Sequence, residues 1–250
     1  MMTERDEARF RRTADLPPEL QAYFRALYEE AEAAFGGVVA RHGLRTGLSR
    51  EIAAARIALL DRHLGPIGPA MDALGTPVAC RKGCYHCCSK SVETTPDEVF
   101  ALIDHLASRL SPEAFDQIRH RAIEADRIGH GVASLERHRL KLFCPVLDPS
   151  EGACLGHTAR PAACQGYLSL SLADCLADFA DPPRVVAKPA AAAMITNVVY
   201  GTRDAVLEDL GLSGGVLELT AALAAAWRTD QPEQRWLDGE DIFAEARYRP

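Results

Sequence analysis

The sequence predicts a mainly α-helical fold with little or no sheet, arranged around one loop-rich stretch that carries all of its cysteines. Three observations support this. Apolar residues recur at three- and four-residue steps on both sides of the centre. Proline and serine or threonine punctuate the starts of those runs, and glycine ends several. The eight cysteines fall only between Cys80 and Cys175, in a stretch rich in proline and glycine.

Residues 1 to 15 are charged and aperiodic and read as a frayed tail. Pro17 and Pro18 open a helix whose apolar residues Leu20, Tyr23, Phe24, Leu27, Ala31, Ala34, Phe35 and Val38 share a face, and Gly43 closes it. A second helix is expected from Ser49, carrying Ile52, Leu59 and Leu60 to Gly65, and Gly65 to Pro69 reads as a connector. Thr95-Pro96-Asp97-Glu98 has the form of a capping box, with the next helix presenting Val99, Phe100, Ile103, Leu106 and Leu110. Ser111-Pro112-Glu113 starts another, through Phe115, Ile118 and Ala122 to Gly129. Residues 132 to 143 show no assignable pattern. Leu168, Leu170 and Leu172 alternate with serines as in a short strand, and Asp181-Pro182-Pro183 breaks the chain. Two helices close it, over 190–210 and 216–227. The expected organisation is an N-terminal helical region (1–76), a cysteine-cluster domain (77–180) and C-terminal helices packing on it (181–250).

With 250 residues the chain can bury a full core. Its formal charge of −7 argues against nucleic acid and against an anionic membrane surface. No apolar run has the length of a membrane span. The first residues lack a signal-peptide core, so a reducing cytoplasmic location is expected.

That expectation decides how the cysteines are read. Cys80, Cys84, Cys87 and Cys88 lie within nine residues, and Cys144, Cys154, Cys164 and Cys175 follow at spacings near ten. A disulfide framework suits an exported protein, whereas clustered thiols in a reducing compartment suit a soft metal that binds the thiolate. On a helix, Cys84 and Cys87 would lie about 40° and 20° to either side of Cys80, with Cys88 about 80° round. In a turn, Gly83 would bring Cys80 and Cys84 together. In both cases Cys87 and Cys88 point in different directions, so they serve two metals or only one of them is a ligand. Eight thiolates suffice for two four-coordinate zinc sites or for one or more iron–sulfur clusters.

Cys80-x3-Cys84-x2-Cys87 also has the spacing of radical S-adenosylmethionine enzymes. Helices flank the motif, however, and no succession of strand-then-helix units follows it. The compound pattern is a better guide. Cys80-x3-Cys84-x2-Cys87-Cys88, then Cys144-Pro145-Val146-Leu147, then Cys154-x5-Arg160-Pro161-x2-Cys164, resembles the bacterial family of zinc- or iron-chelating cysteine-cluster proteins, the YkgJ-like family. The resemblance spans about residues 78 to 175. It implies a small, largely helical metal-chelating domain of undefined biological role. Some members carry a flagellin lysine methylase label, so the alternative function is an iron–sulfur-dependent redox or methyl-transfer enzyme. The chain departs from the family pattern at His157, where tyrosine is usual, and at Gln165, where arginine is usual.

The expected metal ligands are Cys80, Cys84, Cys87, Cys88, Cys144, Cys154, Cys164 and Cys175. Arg81, Lys82, Lys90 and Arg160 are candidates to offset thiolate charge, Arg160 first because Pro161 fixes the backbone beside it. For the two lysines, a solvated surface charge is at least as good a reading. His86 and His157 are candidate nitrogen ligands, and the remaining histidines, 42, 63, 105, 120, 130 and 138, read as surface residues. No phosphate-cradling glycine loop and no HExxH helix marks a metal-independent catalytic site.

Overall fold

A computed structural model describes residues 15–212 and 215–248. The frayed tail expected over 1–15 lies almost wholly outside these residues. The fold is mainly α. Helix α1 (Pro18–His42) buries Phe24, Leu27, Ala31, Phe35 and Val38, the predicted stripe. Helix α2 (Leu48–Leu64) packs beside it. The expected connector at 65–69 instead runs into a short helix, α3 (Ile67–Ala73). Pro69 is tolerated there because first-turn residues need no intrahelical N–H donor.

Helix α4 (Pro96–Arg109) packs on α2, and α5 (Pro112–Gly129) begins with Ser111 Oγ accepting from the Ala114 amide. The capping box at Thr95 does not form. Thr95 Oγ1 donates to Asp97 Oδ1 at 2.9 Å, and Glu98 turns into the core. The unassigned stretch 132–143 contains helix α6 (Ser134–Arg139), which buries Arg137 and His138. Short helices α7 (Ala162–Gln165) and α8 (Leu172–Ala180) carry the last two cysteines. The strand expected at Leu168–Leu172 is absent. The Leu170 amide bonds Ala187 O and Ser169 O accepts from the Ala79 amide, but these contacts do not make a strand ladder.

Helix α9 (Ala190–Glu208) lies on α1 and α2, and α10 (Leu219–Arg228) lies on α5 and α4. Helix α11 (Pro232–Leu237) escapes the sequence reading. Its Glu233 accepts from the amides of Gly47 and Ser49 at 2.8 and 3.1 Å, so it caps the start of α2 across the chain. The strands are two residues long: β1 (Glu93–Thr94) pairs antiparallel with β4 (Leu217–Glu218), and β2 (Leu147–Asp148) with β3 (Ala153–Cys154). One hydrophobic core runs through α1, α2, α4, α5, α9 and α10.

A buried ionic network fastens the cysteine region to this core. Arg56 on α2 pairs with Glu98 on α4 at 3.1 Å, both fully buried. Glu98 also accepts from the Ala162 amide at 2.8 Å and from Thr94 Oγ1 at 3.1 Å. Arg56 reaches Arg160 O and Gln165 Oε1, each at 3.2 Å. Burial pushes the Glu98 carboxyl up, and Arg56 opposes the shift. The first turn of α7, and with it Cys164, therefore hangs from a carboxylate two helices away. Arg203 on α9 holds the neighbouring Asp97 in the same way, at 2.5 Å.

Candidate metal centre

The first cysteine group takes the turn form. Gly83 has a φ of +86°, a conformation open to glycine, and the Cys84 amide closes the turn on Arg81 O at 3.0 Å. One turn of 3-10 helix, His86–Ser89, follows. The Ala79 amide donates to Ser169 O at 2.7 Å, and Ser169 then touches two cysteines. Its amide donates to Cys80 Sγ at 3.2 Å, and its hydroxyl accepts from Cys175 Sγ at 3.1 Å. Cys80 and Cys175, far apart in sequence, thus meet at one serine.

The second group is built against the end of the first. The Cys144 amide donates to Cys88 O at 2.7 Å. The β2–β3 pairing sets Cys154 opposite Leu147, and the Leu155 amide bonds Val146 O at 3.0 Å. Close packing follows: a Cβ on Gly156 would lie 2.4 Å from Leu102 Cδ1, and one on Gly166 would lie 2.1 Å from Thr196 Oγ1. These two glycines let the loops around Cys154 and Cys164 sit directly on α4 and α9.

The backbone is arranged for sulfur. The Ser169 amide donates to Cys80 Sγ, and the backbone at His86, Val146 and Gly156, each two residues beyond a cysteine, favours the thiolates of Cys84, Cys144 and Cys154. N–H donors of this kind stabilise thiolate and tune a metal bound to it. All eight cysteines are free thiols, Cys80 exposed and the others half-buried. Burial raises the pKa of Cys80, Cys84, Cys154 and Cys164, and pushes Cys144 up to about 12. A hydrogen bond from Cys88 lowers Cys87 to about 7 and raises Cys88 in turn. Without a cation, then, most of these sulfurs hold their protons.

The charged candidates separate. Arg160 favours the thiolates of Cys87, Cys154 and Cys164 and so faces the centre as expected. Arg81 does so for Cys84, and Lys90 for Cys87. Lys90 is only 30% exposed and pairs with buried Asp178, so it is not a solvated surface charge. Lys82 meets Glu151 at the surface, at 3.2 Å. His157 is exposed and accepts from Arg160 Nη1 at 2.6 Å. His86 stacks between Tyr85 and Phe179, and its buried Nδ1 has no partner among the described residues.

His138 overturns its surface assignment. It is 3% exposed, 2.8 Å from Ser89 Oγ and 3.3 Å from Asp178 Oδ2, and so ties the 3-10 turn to α8. Its partners are distant in sequence, and the basic, aperiodic stretch around it gave no sign of burial. Gly211-Leu212-Ser213-Gly214-Gly215 has the Gly-x-Ser-x-Gly form, which the sequence reading missed. It follows helix α9 rather than a strand, and Ser213 and Gly214 lie outside the described residues.

A cleft of about 310 Å³ opens beside the centre. Cys87 and Cys164 lie in its wall with Lys90, Tyr167, Lys188 and Asn197. Sequence reasoning found the two cysteines of this cleft but not Tyr167, Lys188 or Asn197, which carry no motif.

The thiol donor set, with the Ser169 amide on Cys80 Sγ, suits a thiolate-bound metal in its chemistry. Among the described residues, no three Cys, His, Asp or Glu side chains close tightly enough to enclose an ion. The fold and the site define a mainly α protein with a clustered-thiol centre. Residues 79–179 match the family model described as "CxxCxxCC: Putative zinc- or iron-chelating domain". No curated protein and no solved structure matches the chain. No helix among the described residues is long and apolar enough to cross a membrane.

Proposed function

We propose that the protein holds zinc or an iron–sulfur cluster through Cys80, Cys84, Cys87, Cys88, Cys144, Cys154, Cys164 and Cys175, in a cysteine-cluster domain over 77–180 flanked by helical regions. The observation that carries this reading is the convergence of distant sulfurs on a backbone donor: the Ser169 amide donates to Cys80 Sγ at 3.2 Å, and Cys175 Sγ meets the hydroxyl of the same serine at 3.1 Å. Sulfurs that serve only as packing have no need of such donors. Zinc would tie the loops as a closed structural site, and an iron–sulfur cluster would supply electron transfer. The thiols remain available as ligands in a reducing cytoplasm. Arg160 offsets thiolate charge on three of them.

The cleft beside Cys87 and Cys164 favours a second reading, an iron–sulfur-dependent redox or methyl-transfer enzyme, since a small molecule could reach the centre there. Purification without oxygen, followed by a visible spectrum and elemental analysis, tests both. A colourless sample with stoichiometric zinc supports the closed site and excludes the cluster. Brown colour with acid-labile sulfide does the reverse.

A further inference from the structure

We propose that the cleft beside Cys87 and Cys164 binds a small organic monocarboxylate, its anionic end held by Lys188 and Asn197 and its carbon body lying along Tyr167. This deepens the second reading above by naming the ligand class of its cleft. It rests on that reading for the link to the thiols, but not for binding itself.

The cleft has room for such a molecule, since about 310 Å³ lies at the lower end of the range of small-molecule sites. Val92, Ala163, Pro189 and Ala193 give its wall apolar surface, and Tyr167 adds a half-buried ring. Ala193 and Asn197 are four residues apart on α9 and so share one face of that helix. Lys188, just before the helix, sets its Nζ over the Tyr167 ring, 4.7 Å from the centroid.

Sites of this kind orient a ligand with a few polar groups in an apolar wall. Here those groups are uncommitted. Among the described residues, Lys188 pairs with no carboxylate and the Asn197 side chain makes no hydrogen bond. An ammonium and a primary amide are both donors, and a carboxylate accepts from both.

The charges in the wall narrow the class further. Lys90 is already paired with Asp178, which is fixed in turn by His138 and the Arg184 amide. Lys188 is the lysine of the wall that remains for a ligand. Exposed Glu93 in the same wall opposes a second negative charge, so a carboxylate fits better than a phosphate dianion.

Ligand-observed NMR titration of the full chain tests this, as purified and again after chelation. The probes are benzoate and hexanoate, with benzamide as the uncharged counterpart of benzoate and inorganic phosphate as the competing anion. At least one carboxylate should bind at one site per chain, and benzamide about tenfold more weakly than benzoate. Lys188→Gln should weaken carboxylate binding about tenfold and leave benzamide unchanged. Asn197→Ala should weaken it less. Both positions are exposed, and circular dichroism checks that the variants fold. Lys82→Gln, at a surface lysine paired with Glu151 outside the cleft, should change nothing. Failure of both carboxylates to bind, phosphate binding more tightly than either, or an equal loss in Lys82→Gln overturns the proposal. A chain that never carries metal yet binds a carboxylate through Lys188 overturns the metal reading and leaves this site standing.

Discussion

The amide of Cys144 donates to the carbonyl oxygen of Cys88 across 2.7 Å, joining segments more than fifty residues apart at the point where the cysteine groups meet. Because this bond is between backbone atoms, it survives replacement of either side chain. A Cys144→Ser variant is therefore expected to keep the local path of the chain while losing a sulfur ligand. Its metal content should fall while its far-ultraviolet dichroism stays near the wild-type value.

The metal-free protein should respond to pH in the direction set by its raised thiols. A group whose folded pKa lies above its unfolded value, roughly 8.5 for cysteine, stabilises the fold fully below that value. The contribution is lost as pH rises through the folded pKa, which for Cys144 is about 12. Urea midpoints with chelator present should therefore fall between about pH 8 and pH 10. Metal affinity should move the opposite way and rise with pH, because each ligand must give up a proton. Parallel falls in both would contradict this.

Glu98 is the carboxylate from which α7 hangs. Glu98→Ala leaves Arg56 buried without its counter-charge and is expected to cost about 3–5 kcal/mol. Replacing both with apolar residues, as in Arg56→Met with Glu98→Leu, should cost clearly less. Urea unfolding of the three proteins checks this, and additive losses would contradict it.

Gly166 has no room for a methyl group. Gly166→Ala places Cβ 2.1 Å from Thr196 Oγ1 and is expected to destabilise by about 1–3 kcal/mol. Adding Thr196→Ala should recover part of that loss, and thermal melts of the single and double variants measure it.

His138 joins Ser89 to Asp178, and burial lowers its pKa. A base with a depressed folded pKa stabilises the fold above its unfolded value, about 6.5, and that contribution is lost as pH falls. Melting temperature should drop on acidification from about pH 7 to pH 5, and His138→Gln should flatten that slope. An unchanged slope would assign the acid sensitivity to other groups.

These cases also show what could be read from the sequence. The stripe on α1 and the Ser111 cap are local features, so periodicity and start signals find them. The Thr95 capping box misled because Glu98 has a partner from another helix, Arg56, that outweighs the local amide. His138, Lys90 and Glu233 derive their roles from residues at least forty positions away, and no short pattern encodes those contacts. The cysteines were legible because eight thiols in one region are rare. How distant cysteines come together was not, because the ties at Ser169 and Cys88 join residues far apart in the chain.

The most direct test of the central claim is the metal-to-protein ratio of the full chain purified without oxygen, read with the count of thiols reacting under native conditions. The account predicts bound zinc or iron and protection of most of the eight thiols, lifted when a chelator removes the metal. A folded chain without metal, whose thiols react equally with and without chelator, would contradict it.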